Sequence, residues 1–124
     1  MGATSRQRTG AEGEVIARRH LEQAGLTFVA ANVRYRDGEI DLVMCDAKAT
    51  IVFIEVRRRT RSTYGGAAAS VTPSKCRRLV IAAARYLAAR RLDTRPCRFD
   101  VVTIEGGREG PRVEWLRDAF RPDD

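Results

Sequence analysis

The stretch GEIDLVMCDAKATIVFIEVRRR, from Gly38 to Arg59, limits most strongly what this chain can fold into. EIDLVMC and TIVFIEVRR are rich in β-branched and aromatic residues and are separated by a short polar segment, the pattern of two strands joined by a turn. Both runs carry acids, Glu39, Asp41 and Glu55, in positions where charge is normally excluded.

Side chains alternate along a strand, so Glu39, Asp41 and Val43 are expected on one face, and Ile51, Phe53, Glu55 and Arg57 on one face of the next strand. With the turn over residues 46–50, Cys45 faces Ile51 and Asp41 falls opposite Glu55. Two unit charges about 4 Å apart at an effective dielectric of about 20 repel by roughly 4 kcal/mol. A proton, an arginine or a metal ion must offset that. Mg²⁺ suits the pair, because it takes one or two carboxylates plus water and leaves positions open for a phosphate oxygen. The competing reading is a structural network with Arg34, Arg36 and Arg57, which for Glu39 is the preferred one.

The flanking sequence supplies the rest of an α/β domain. Thr9 to Glu12 reads as a capping box opening a helix that runs to Ala24 and stops at Gly25. Ala17, Leu21 and Ala24 share a face of that helix. Glu14 lies on the same stripe, either as a third metal ligand or as an acid placed against the helix dipole. Extended segments at 27–35, 39–45 and 50–58 form an antiparallel meander. Thr72 and Pro73 supply an N-cap and first-turn proline for a second helix, 73–91, with Leu79, Ala83, Tyr86 and Leu87 inward and Lys75, Arg78 and Arg85 on a basic stripe. Strands at 97–105 and 112–117 complete the order αβββαββ. One domain, residues 9–120, is expected between a flexible N-terminus, 1–8, and a short tail, 121–124.

Lysine and arginine outnumber acids by 23 to 16 in 124 residues, and arginine supplies nearly all the positive charge. Such a balance favours a polyanionic partner, most often nucleic acid. Helix 2 and the run Arg57, Arg58, Arg59, Arg61 are the expected grip on a phosphate backbone. Few aromatics are present, which favours duplex or branched DNA over stacked single strands, and Trp115 reads as a core or dimer contact. The three cysteines form no CxxC pair, so a reducing cytoplasm is the natural setting. No apolar run is long enough to span a bilayer.

The ordered set Gly13-Glu14, Gly38-Glu39-Ile40-Asp41-Leu42, Val52-Phe53-Ile54-Glu55-Val56-Arg57, YGGAAASVT from Tyr64 to Thr72, and Phe99-Asp100-Val101-Val102 resembles the YraN family of small bacterial proteins. The resemblance covers the chain from about residue 10 to Phe120. That family is similar to the PD-(D/E)XK nucleases, Holliday-junction resolvases among them. The resemblance implies a restriction-endonuclease-like αβββαβ core with a mixed central sheet flanked by two main helices, and a Mg²⁺- or Mn²⁺-dependent endonuclease acting on DNA, with a homodimer as the expected assembly.

Carried over position by position, the resemblance makes Glu14 the helix-1 acid, and Asp41 and Glu55 the metal ligands. Arg57 stands where the superfamily has its lysine, and Ile40 where it has proline. Arginine stays protonated and stabilises charge, but it is a poor base. Lys75 is the candidate compensating cation at the scissile phosphate, its alternative being a solvated lysine. Asp100 recurs in the family pattern, although pairing with Arg98 or Lys75 explains it equally. YGGAAAS would be a flap beside the cleft. The competing function is a non-catalytic nucleic-acid-binding module that keeps the nuclease fold, and a third is an adaptor whose basic surface binds an acidic protein.

Overall fold

A computed structural model describes residues 5–59, 71–106 and 109–122. The elements in chain order are α1 (Ser5–Gln23), β1 (Thr27–Tyr35), β2 (Gly38–Cys45), β3 (Ile51–Arg59), α2 (Pro73–Ala89), β4 (Cys97–Glu105) and β5 (Arg112–Phe120). The five strands make one sheet in sequence order. β1, β2 and β3 form the expected antiparallel meander, β3 pairs parallel with β4, and β5 returns antiparallel on β4. A parallel pair needs a crossover, and α2 provides it.

Helix α1 begins at Ser5, so Thr9 to Glu12 lies inside the helix and is not its cap. Its far end is as expected. Gly25 takes a φ of 101°, a left-handed conformation that glycine adopts without a Cβ penalty, and the Leu26 amide donates to the Leu21 carbonyl at 3.0 Å, closing the helix. Ala17 and Leu21 are fully buried, whereas Ala24, beyond the last turn, is exposed. At α2 the Thr72 side chain accepts the Lys75 amide at 3.2 Å with Pro73 in the first turn, which is the cap read from sequence. This helix ends at Ala89, two residues short of the expected limit, with Arg90 as its cap.

Each helix covers one face of the sheet. On the α1 face Ala17 and Leu21 pack with Leu42, Met44, Val52, Ile54, Val102 and Ile104. On the α2 face Leu79, Ala82, Ala83 and Tyr86 pack with Ile40, Val43, Phe53 and Phe99. Burying a side chain of this size contributes about 1.5–3 kcal/mol, so both layers are firmly seated. Gly38 sets how closely α2 approaches β2. A Cβ there would stand 2.1 Å from the Arg78 carbonyl oxygen, a separation no side chain tolerates.

At the far end of the sheet Asp100 is fully buried. It accepts from Arg98 Nε at 3.1 Å, from the Trp115 indole at 2.9 Å and from the Asp118 amide at 2.9 Å. Arg98 continues to Asp46 at 3.2 Å. Asp100 therefore has the structural role, pairing with Arg98 as the simpler reading required. It sits in the irregularity of the β4–β5 ladder between Phe99 and Val101. No described helix is long and apolar enough to cross a membrane.

Candidate active site

The β2–β3 hairpin has the register read from sequence: Cys45 faces Ile51, and the ladder runs through Leu42 opposite Ile54. There it stops. Asp41, the next residue, is absent from this ladder and also from the β1–β2 ladder, where the pairs Ala31–Leu42 and Val33–Ile40 flank it. Its carboxylate oxygen Oδ2 accepts the Val56 backbone amide at 2.8 Å. A side chain thus takes a hydrogen bond that a continuing sheet would give to a neighbouring strand.

The expected alternation fails at the same level. Leu42 and Met44 face α1, yet Ile40, two residues before Leu42, packs on the α2 side. On β1 the same exchange separates Ala31 from Val33. Between those two lies Asn32, with a φ of 52°. Left-handed backbone inside a strand alters the direction of successive side chains, which fits the exchange on β1; on β2 the packing of Ile40 opposite to Leu42 and Met44 means that Glu39, Asp41 and Val43 do not share one uninterrupted face.

Despite that break, Asp41 and Glu55 line the same cleft and lie close enough to act on each other's ionisation. Burial pushes the Asp41 carboxyl up, against the lowering effect of the Val56 amide, with the charges of Glu39 and Glu14 adding to the rise. Burial and the Asp41 charge raise Glu55 to about 7, while Arg57 and Lys75 pull it down. Two neighbouring carboxyls that resist ionising together are relieved by a cation, and their donor set is all oxygen, which suits a hard divalent ion.

A cleft of about 410 Å³ opens at this point, lined by Glu39, Asp41, Glu55, Arg57, Lys75 and Arg78 among others. Arg57 Nη1 lies 3.7 Å from Glu55 Oε1. Its Nε is buried and has no hydrogen-bond partner among the described residues. A buried unmet donor costs about 1–3 kcal/mol, and an anionic oxygen would satisfy it. Glu39 lies 4.0 Å from Arg34 Nε, both largely exposed.

Other residues singled out from sequence stand elsewhere. Glu14 accepts from Asn32 Nδ2 at 2.6 Å, near enough to Asp41 to act on its ionisation. Among the described residues no three acids, histidines or cysteines converge on a ready-made metal site, so the converging pair is Asp41 and Glu55. Arg85 forms a fork to Asp37, with contacts of 2.8 and 2.6 Å, and holds that carboxyl below its ordinary range. Arg58 projects to the other side, its stem near Gly13 of α1, away from the cleft that Arg57 lines. Arg59 closes β3 opposite Glu105. Arg61 and the YGGAAAS segment, residues 64–70, lie outside the described residues.

Asn32 was not singled out from the sequence. Its signal was there to read: an asparagine, poor in strands but tolerant of left-handed backbone, in the middle of TFVAANVRY.

The fold and the site together define a class: a restriction-endonuclease-like αβββαβ core with an acid pair where two strands part and cations from the following helix. Residues 13–104 match the family described as Uncharacterised protein family UPF0102. UPF0102 proteins of Yersinia pseudotuberculosis serotype O:1b (strain IP 31758) and Yersinia pestis bv. Antiqua (strain Angola) are each 54% identical over 121 residues, covering 96% of this chain and 99% of theirs. The chain belongs to the UPF0102 family, the YraN family of the resemblance.

Proposed function

We propose that this protein is a metal-dependent endonuclease that hydrolyses phosphodiester bonds in branched or otherwise structured DNA. The observation that carries the reading is the convergence of Asp41 and Glu55 on one cleft that Lys75 and Arg78 also line. Asp41 and Glu55 are the residues that would hold Mg²⁺ or Mn²⁺, with Glu14 in support. When bound, the cation supplies Lewis acidity toward water and phosphate.

The chain's own groups do the rest. Lys75 and Arg78 attract the phosphate, and the unmet Arg57 Nε offers it a hydrogen bond. A guanidinium is a poor base, so Arg57 serves to stabilise developing charge and not to activate water. The cationic residues also support salt-sensitive attachment to a nucleic-acid backbone.

A non-catalytic DNA-binding module is the second reading, favoured by one observation: the cation close to Glu55 is Arg57, a poor base, where the resemblance would place a lysine. Cleavage of branched and linear DNA in Mg²⁺ or Mn²⁺, with Asp41→Asn and Glu55→Gln alongside, separates the two. Metal-dependent cleavage lost in both variants supports the enzyme. Salt-sensitive binding without cleavage selects the module, and no DNA affinity at all sinks both.

A further inference from the structure

We propose that Asn32 is a positioning residue for the acid site, its side-chain amide directing the Glu14 carboxylate toward Asp41. This rests on the metal-dependent reading above and adds to it the residue that supports the third acid.

Three independent features meet at Asn32. It is a non-glycine residue with left-handed backbone in the middle of a strand, an arrangement that persists only where its surroundings impose it. It stands between Ala31 and Val33, whose partners Leu42 and Ile40 flank Asp41, so it lies level with the residue both ladders omit. Its Nδ2 donates to Glu14 Oε2 at 2.6 Å, joining β1 to α1 at that level. Glycine would satisfy the backbone more easily than asparagine, but it has no amide to donate. The side chain, rather than the turn of the strand, is what asparagine adds.

A glutamate side chain on a helix has several staggered rotamers open to it. Held by Asn32, the Glu14 carboxylate is oriented before any cation arrives, and its charge reaches Asp41. Groups that orient ligands from behind are worth about 10–100-fold in metal affinity.

The test is Mn²⁺ binding by calorimetry to wild type, Asn32→Gly, Glu14→Gln and the double variant, with circular dichroism to verify folding. Asn32→Gly preserves the left-handed backbone and is expected to weaken Mn²⁺ about tenfold. In the Glu14→Gln background the same change should have almost no further effect, because the amide acts through Glu14. Equal affinity of wild type and Asn32→Gly, or full additivity in the double variant, would overturn the positioning role while leaving Asp41 and Glu55 as ligands. A wild type that binds no Mn²⁺ would overturn both.

Discussion

Asp41 accepts the Val56 amide through Oδ2 at 2.8 Å, and Val56 is the chain neighbour of Glu55. The hydrogen bond that fastens the aspartate to β3 therefore also sets the second carboxyl beside it. Asparagine at position 41 retains an oxygen for the Val56 amide but removes the charge that helps raise Glu55. In Asp41→Asn the Glu55 pKa should fall from about 7 toward 4.5, measurable by carboxyl ¹³C titration. A Glu55 that still titrates near 7 would show that burial alone sets it.

The same pair makes stability depend on pH. Glu55 binds its proton more tightly folded than unfolded, so its contribution is full below about 4.5 and is lost as pH rises through about 7. Urea unfolding of the metal-free protein between pH 5 and 8 should show stability falling with pH by on the order of a few kcal/mol from this group. Glu55→Gln should flatten that slope.

Saturating Mg²⁺ should reverse the loss. A ligand at about 100 times its Kd contributes about 2.7 kcal/mol, enough to raise the thermal midpoint by several degrees at pH 8. Neither Asp41→Asn nor Glu55→Gln should respond, and chelation should abolish the rise in wild type.

Gly38→Ala tests the seating of α2. The added methyl meets the Arg78 carbonyl at 2.1 Å, so the helix must withdraw. Overpacking of this kind costs about 1–3 kcal/mol, and the movement also carries Lys75 and Arg78 away from the acids. Urea denaturation reads the first effect, and loss of DNA affinity in the surviving folded protein reads the second.

Asp100→Asn should behave differently from the cleft variants. It removes the buried charge that Arg98 pairs with while leaving Asp46 in place, a loss of about 1–3 kcal/mol, and should leave Mg²⁺ affinity unchanged in the folded protein. Trp115, the chain's one tryptophan, donates to Asp100, so its fluorescence reports the change directly.

Local chemistry made much of this legible in advance. β1 runs over the residues read from sequence, the Cys45–Ile51 register followed from the turn length, and Thr72 with Pro73 marked the start of α2. Long-range contacts decided what was not legible. Arg85 is on the basic stripe, but nothing local says that Asp37, across the fold, will engage it. Arg58 follows Arg57 in sequence and faces away from it in space, as alternation itself implies. Alternation failed at Asp41, which lies level with the left-handed Asn32 of the neighbouring strand, a pairing no local pattern in β2 reveals.

The parallel pairing of β3 with β4 through α2 also has an electrostatic result. A crossover helix starts at the end where the preceding strand finishes, so the last residues of β3 and the first turn of α2 share one rim of the domain. Helix starts carry partial positive charge from unpaired amides, and here that end adjoins two acids that oppose each other's ionisation. The connectivity thus brings the positive end of α2 to the cleft that holds the two acids. Substitutions at that rim tune a polarity that the chain path has already established.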